Sequence, residues 1–250
     1  SYANVVDPTL FTIASAAGRT STTFFKQGSS KEDIADYSYS YDSTGAGIRS
    51  TSVSYYGANR ASAAVSTDAL TRSDSYRGAV DPTSFTTSSA SGRTSTTFFI
   101  NNTTSREDIA DYSWSYGSDG QTVRSTSVSY YTGNVRASDA TVKSTVALIR
   151  SDSFRGQKAV DSTYNINTTT DRTSATFFIN STASGEDIAN YSYSYKLDGT
   201  SVRSTSVSYY NHLGVTTRAL GSVSTDSLVR SDSYANVVDP TLFTIASAAG

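Results

Sequence analysis

The chain contains no cysteine and no methionine in 250 residues. Without cysteine there is no disulfide framework and no thiolate metal site. Lacking both sulfur residues, it also offers oxidants little to attack. A natural chain starts with Met, so the expectation is a processed chain or an interior window of a longer product. Histidine occurs once, at His212, which excludes a His-based triad and a histidine cluster for a transition metal; we read it as a surface residue. Proline occurs three times, in "VDPT" at Val6 and Val238 and in "VDPTS" at Val80, with "VDST" at Val160; these stretches read as turns. No apolar run approaches the roughly eighteen residues of a membrane helix, and no charged-then-apolar leader opens the chain. Neither sign of charge dominates: 20 basic residues face 22 acidic ones, for a net charge of −2. That balance argues against a nucleic-acid partner, which needs a basic surface.

What is present is hydroxyl. The chain has 47 Ser and 36 Thr, with 18 Tyr as the main aromatic. They fall in a repeating order. "RTSTTFF" starts at Arg19 and Arg93, and "RTSATFF" at Arg172. "EDIADYSYSY" from Glu32 recurs as "EDIADYSWSY" from Glu107 and "EDIANYSYSY" from Glu186. "RSTSVSYY" stands at Arg49, Arg124 and Arg203, and "RSDSY" or "RSDSF" at Arg72, Arg150 and Arg230. Three copies therefore span residues 19–92, 93–171 and 172–250, with 1–18 as the end of a preceding repeat. Residues 233–250 are identical to 1–18. Their offset of 232 is in register with the internal copies, as expected of a window cut from an array with a 232-residue super-repeat.

Inside each copy the pattern alternates with the period of a strand. Tyr37, Tyr39 and Tyr41 share one face and Ser38 and Ser40 the other. Gly-bearing turns follow at "DSTGAG" (Asp42), "GSDG" (Gly117) and "LDGT" (Leu197), then an "RSTSVSYY" strand, which is a hairpin pattern. A second joint varies in length: "GANR" at Gly57, "TGNVR" at Thr132, "NHLGVTTR" at Asn211. This marks a solvent-facing loop. "KEDIADY" reads as a turn, or one helical turn capped by Ser30. The expected fold is all-β: tandem β-hairpin repeats, four strand segments to a copy, stacked into an elongated β-solenoid-like or filament-forming array. Only 36% of residues are apolar, so one copy alone would bury too little, and neighbouring copies are expected to complete each other. The expected stacking residues are Tyr37, Tyr39, Tyr41, Tyr112, Trp114, Tyr116, Tyr191, Tyr193 and Tyr195, with Tyr55, Tyr130 and Tyr209. Arg72/Asp74, Arg150/Asp152 and Arg230/Asp232 share a face at i, i+2 and across stacked copies would form a row of opposite charges, each pair worth at most about 1 kcal/mol if exposed.

Sites of chemistry are few. The acidic pairs Glu32/Asp33, Glu107/Asp108 and Glu186/Asp187 invite a Ca²⁺ reading. Neighbours on a strand point to opposite faces, however, and no Asp-rich loop with its Gly is present, so turn capping is favoured and no cofactor is expected. No Gly-rich phosphate loop is found. Asn101, Asn102, Asn167, Asn180 and Asn190 each begin an Asn-x-Ser/Thr acceptor for N-glycans, and the Ser/Thr tracts offer O-glycan sites.

"YSYDSTG" from Tyr39 to Gly45 resembles the YD repeat, the Tyr-x-Tyr-Asp-x-x-Gly signature of bacterial Rhs and teneurin-like proteins. "WSYGSDG" from Trp114 and "YSYKLDG" from Tyr193 keep the second Tyr and the Gly and shift the acid toward the turn. The resemblance covers about seven residues per copy and implies long β-hairpin strips on extracellular or exported bacterial proteins. In Rhs proteins the strips spiral into a shell around a cargo. The longer period of 74 to 79 residues and the near-exact large repeat depart from that pattern.

The expectation is thus a structural protein, not an enzyme, at the cell surface or outside a microbial cell. It would form a filament, stalk or sheath with itself as partner; covalent glycans on its hydroxyl or Asn side chains are left as an open alternative. The alternatives are the repetitive stalk of an adhesin that binds glycans through Tyr and Trp114, or a segment of a Rhs-like shell.

Overall fold

The computed structural model describes residues 18–27, 33–65, 67–86, 88–89, 91–102, 107–139, 142, 145–161, 164–180, 187–222, 226–236 and 239–240. The fold is an all-β array of tandem antiparallel hairpins. The first copy supplies β1 (Ser21–Gln27), β2 (Asp33–Tyr41), β3 (Ile48–Tyr56) and β4 (Leu70–Arg77). The second supplies β5 (Arg93–Asn102), β6 (Glu107–Tyr116), β7 (Val123–Tyr131) and β8 (Leu148–Arg155). The third supplies β9 (Arg172–Asn180), β10 (Asp187–Tyr195), β11 (Val202–His212), a short β12 (Val215–Arg218) and β13 (Ser227–Ala235). Two compact units are distinguished, residues 1–101 with 113–123, and residues 102–112 with 124–250. In the first unit β1 pairs with β2, β2 with β3, β3 with β4 and β4 with β5. In the second, β7 pairs with β8, β8 with β9, β9 with β10 and β10 with β11. Strands β12 and β13 both pair with β11.

The hairpin between the second and third strands is set by glycine. Gly45, Gly120 and Gly199 have φ of 73°, 68° and 68°, a region where a side chain is strained. At Gly199 a Cβ would also stand 1.9 Å from the Thr169 carbonyl oxygen. The acid that shifts position among copies serves one purpose from two places. Asp42 Oδ1 accepts from the backbone N–H of Thr44 and Gly47. Asp119 Oδ1 accepts from Gln121 and Thr122, and Asp198 Oδ1 from Thr200 and Ser201. The hydroxyls of Thr44, Thr122 and Ser201, and after them these backbone bonds, hold all three carboxyls below the usual range, Asp198 at about 2.

The variable joint is exposed at its tip in every copy and grows as a hairpin. Its extra residues in the third copy extend β11 and add β12, turning at Leu213 (φ 51°) and Gly214 (φ 84°).

"KEDIADY" is not a helical turn where it is described. Strand β2 begins at Asp33 and β10 at Asp187. Phe24 pairs with Tyr37 and Phe25 with Ala35, so Asp36 is the extra residue of a β-bulge; Asn190 takes the same place between Ala189 and Tyr191. The bulge breaks the alternation and bends the strand without ending it.

The core lies on the face that carries Thr51, Val53 and Tyr55 of β3, all fully buried with Asp74 and Tyr76 of β4. The connector after β4 packs over them through Val80 and Phe85. In the second copy Val128, Tyr130 and Phe154 lie under Val160, Tyr164 and Ile166. A smaller cluster in each copy joins the isoleucine before the bulge to the second Tyr of "SYY", as Ile34 and Tyr56 do with Ala61 and Ala64. Each fully buried Val contributes about 1.5–3 kcal/mol. Burial is therefore completed largely by the copy's own connectors. What neighbouring copies share is an edge: β4 with β5, and β8 with β9.

Candidate functional site

The site that recurs is the seam where one copy meets the next. At the first seam, Asp74 is opposite Thr96 and Arg72 opposite Phe98. The Arg72 guanidinium donates from Nε to Asp74 Oδ1 at 2.9 Å and from Nη2 to Oδ2 at 2.5 Å. From the next copy, Arg93 Nη1 stands 3.5 Å from Oδ2, and Thr96 Oγ1 donates to Oδ1 at 2.6 Å. Tyr116 donates in turn to Thr96 at 3.0 Å. At the second seam Arg150 grips Asp152 at 2.6 and 2.5 Å, with Arg172 Nη1 at 3.6 Å. Ala175 stands where Thr96 stands at the first seam, so that hydroxyl donor is missing. Burial pushes the Asp152 carboxyl up, and the two guanidinium groups oppose the rise.

Asp74 and Asp152 are both fully buried. At these two seams the opposite charges are therefore buried, and the small worth of an exposed pair does not apply to them. A packed strand on either side excludes water and turns each carboxylate into a buried Arg–Asp–Arg set spanning two copies. Such a set is costly to break from one side, because the remaining charges lose their partner.

The arginine that opens each copy is held ready for this role. Arg19, Arg93 and Arg172 stack on Tyr41, Tyr116 and Tyr195 with the guanidinium carbon 4.1, 4.2 and 4.1 Å from the ring centre. Each also donates to the carbonyl of the turn glycine, Gly45, Gly120 or Gly199. The hairpin turn, its glycine and the tyrosine before it therefore orient an ion-pairing group.

A second arginine set escapes the strand pattern. Arg60 pairs with Asp36 at 2.8 Å, Arg136 forms a bidentate pair with Asp111, and Arg218 Nη2 donates to Asn190 Oδ1 at 2.8 Å. The same guanidinium groups bind connector carbonyls, of Pro82, Asp161 and Pro240 respectively. This clamp ties the bulge to the connector over the core. Its sequence signal was available: the variable joint always ends on Arg, and the acid or amide four residues after Glu32, Glu107 and Glu186 recurs.

The expected stacking residues divide into two kinds. Tyr55, Tyr130, Tyr209 and Tyr116 are buried; Tyr55 and Tyr130 donate to the connector carbonyls of Thr86 and Asn165. The remaining ones are half-buried, and most of them meet another ring within their copy. Phe24 lies on Tyr37 at 4.5 Å and Phe177 on Tyr191 at 4.6 Å, while Trp114 meets the edge of Phe98 at 4.7 Å. Burial raises Tyr130, and brings Tyr131 and Tyr164 up to about 12. On the opposite face cross-strand serine hydroxyls meet, Ser40 with Ser50 and Ser194 with Ser204 at 2.6 Å, and Ser206 with Ser233 at 2.8 Å.

Among the sequon asparagines, Asn167 is exposed in a turn and Asn101 is half-buried near the end of β5. Asn190 is engaged by Arg218. Asn102 and Asn180 end strands, and their side chains lie outside the described residues. Glu32, Glu186 and the Glu107 side chain also lie outside them. Among the described residues no group of three or more His, Cys, Asp or Glu could hold a metal ion, and no helix is long and apolar enough to cross a membrane. His212 Nδ1 meets Asp226 at 2.9 Å, half-exposed. A cleft of about 340 Å³ beside Tyr130, Asn134, Arg136 and Asp139 is open, but the Arg136 charge there is already committed to Asp111. Set against protein-family models, curated proteins and solved structures, the chain gives no match.

Proposed function

We propose that the protein is structural, forming an extracellular microbial filament, stalk or sheath from tandem β repeats. The observation that carries this reading is the seam. The last strand of one copy and the first strand of the next are antiparallel partners, and each brings half of a buried Arg–Asp–Arg set. The recurring chemistry thus joins copies, and no equally repeated cluster in the described residues is aimed at a small substrate. The role is mechanical: strand pairs loaded in shear break many hydrogen bonds together, with the buried ion pairs as locks. The serine-lined face and the exposed Asn167 are the places for glycans. The resemblance to YD-repeat hairpin strips agrees with an exported location. An adhesin that binds glycans through Trp114 has less in its favour, since that ring packs on Phe98.

Electron microscopy of the purified protein tests the proposal. Fibres or sheets with an axial repeat are expected, and monomeric globules at high concentration would overturn it.

A further inference from the structure

We propose that Tyr37 with Tyr39, and Tyr191 with Tyr193, are sites of oxidative coupling, where a haem peroxidase with hydrogen peroxide joins the two rings into a dityrosine. The proposal goes beyond the filament reading and holds for the single folded chain. Cysteine and methionine, the two sulfur side chains that peroxide oxidises, are both absent. Oxidation therefore falls to the 18 tyrosines and to Trp114, the one tryptophan. Geometry sets these two tyrosine pairs apart from the rest.

In each pair the residues stand at i and i+2 of one strand, so their side chains leave the same face. The ring centres of Tyr37 and Tyr39 are 5.4 Å apart with the planes at 63°, and those of Tyr191 and Tyr193 are 5.4 Å apart at 59°. One phenylalanine of the adjoining strand touches both rings. Phe24, opposite Tyr37, stacks on it at 4.5 Å and meets the edge of Tyr39 at 5.4 Å. Phe177, opposite Tyr191, stacks at 4.6 Å and meets Tyr193 at 5.4 Å. The same three-ring arrangement thus recurs in the two units. Phenylalanine has no phenol to oxidise, so it orients the pair without competing for the radical. The third tyrosine of each row is engaged elsewhere. Tyr41 lies under Arg19 and donates to Thr22, and Tyr195 lies under Arg172 with its ring centre 6.4 Å from that of Tyr193. In the second copy Trp114 takes the middle place of the row, against Phe98, so no two phenols there stand at i and i+2.

The chemistry balances within one pair. All four tyrosines are half-buried, partly open to the oxidant. Burial first, and then the neighbouring phenol, raises Tyr39 and Tyr191, so each pair meets the oxidant in its neutral form. Each phenol gives up one electron and one proton and becomes a phenoxyl radical. The two radicals join by a C–C bond between one Cε atom of each ring, ortho to the oxygen. The hydrogen on each joined carbon then moves to its own oxygen and restores the phenol. The pair ends two hydrogens lighter, and one hydrogen peroxide, through the peroxidase, takes up those two electrons and two protons as it becomes two waters. Because the rings are already in contact, the coupling step needs no diffusion of one radical to another.

The three copies provide the test and its control. The dilute chain is treated with a haem peroxidase and hydrogen peroxide, then cut with trypsin, and its peptides are read by mass and by dityrosine fluorescence. Glu32–Arg49, which holds Tyr37, Tyr39 and Tyr41, and Thr173–Lys196, which holds Tyr191, Tyr193 and Tyr195, should each appear two hydrogens lighter and fluorescent. Glu107–Arg124, with Trp114 in the middle place, should carry no dityrosine fluorescence. Yield from the folded chain should exceed that from the urea-unfolded chain by about tenfold or more. Tyr39→Phe should abolish the product in Glu32–Arg49, whereas Tyr41→Phe should leave it in place. Trp114→Tyr, beside Phe98, should bring it into Glu107–Arg124. No dityrosine in these peptides, equal yields with and without urea, or a product that survives Tyr39→Phe would overturn the proposal. Fluorescence found only between chains would overturn it as well, and none of these results bears on whether the protein forms fibres.

Discussion

Strands β8 and β13 both carry Arg-Ser-Asp-Ser, yet the carboxylate of Asp152 is fully buried and the side chain of Asp232 is 19% exposed. Both strands belong to the same unit and pair with the equivalent strand, β7 or β11. What differs is the second neighbour, β9 for β8 and none described for β13. The same four residues thus form a water-excluded ionic lock where β9 is paired, and a partly exposed pair where no further strand is described. The largest expected effect tests this directly. Asp152→Ala leaves Arg150 and Arg172 without their shared carboxylate and should cost about 3–5 kcal/mol. Asp232→Ala should cost only a small fraction of that. Urea unfolding of the two variants measures the difference, and equal losses would mean that the second strand adds nothing to the pair.

A second expectation separates the buried tyrosines from the edge ones. Tyr131 and Tyr164 are brought up to about 12 by burial, and burial raises Tyr130 as well. An unfolded tyrosine ionises near 10. Their neutral forms are retained in the fold after the unfolded chain has begun to lose protons, so stability is full below pH 10 and falls as pH rises from about 10 to 12. Denaturant midpoints followed across that window should drop steeply. Tyrosinate absorbance should appear with unfolding rather than before it. Ionisation of all eighteen tyrosines near pH 10 in a protein that stays folded would contradict the burial of this face.

The seams themselves differ by two hydroxyls, that of Thr96, where the second seam has Ala175, and that of Tyr76. Tyr76 donates to the Ser89 carbonyl at 3.0 Å and lies 3.4 Å from Asp74, whereas the second copy has Phe154 in that place. Tyr76→Phe removes the second of these differences and leaves the Thr96 donor in place. The expected cost is about 1 kcal/mol from the lost bond to Ser89. A calorimetric melt resolves a change of this size. A larger loss would indicate that the hydroxyl is a main support of Asp74, and not a minor addition to Arg72, Arg93 and Thr96.

These contrasts also mark what could be read from residues alone. The alternation of Tyr with Ser and the Gly turns give the strands and hairpins directly, because period and positive φ are local properties. The partners of Asp74 are not local. Arg72 lies two residues away, but Arg93 and Thr96 arrive from the next copy, and only the register of β4 against β5 brings them in. "KEDIADY" misleads for a related reason: the bulge at Asp36 interrupts the alternation, so a continuous strand looks like the end of one. The connectors, which hold little regular structure, read as loops. Their coverage of the core depends on scattered apolar residues such as Val80 and Phe85.

The smallest expected effect concerns the clamp on the bulge, where the third copy again differs from the others. Asp36 and Asp111 meet Arg60 and Arg136 as carboxylates, but Arg218 meets the amide of Asn190. The clamp therefore needs an oxygen acceptor at this position more than it needs a charge. Asn190→Asp keeps the acceptor and adds the charge. In a half-buried place the gain should be about 0.5 kcal/mol, as for a partly solvated pair. The new carboxyl beside Arg218 would have its pKa held below that of the unfolded chain. The gain should then be present above pH 4, the range of an unfolded aspartate, and fade as pH falls through the folded value. Chemical unfolding of the variant and parent at pH 7 and at pH 2.5 reads both parts. A gain that persists at pH 2.5 would assign the effect to packing at the bulge rather than to the charge on the clamp.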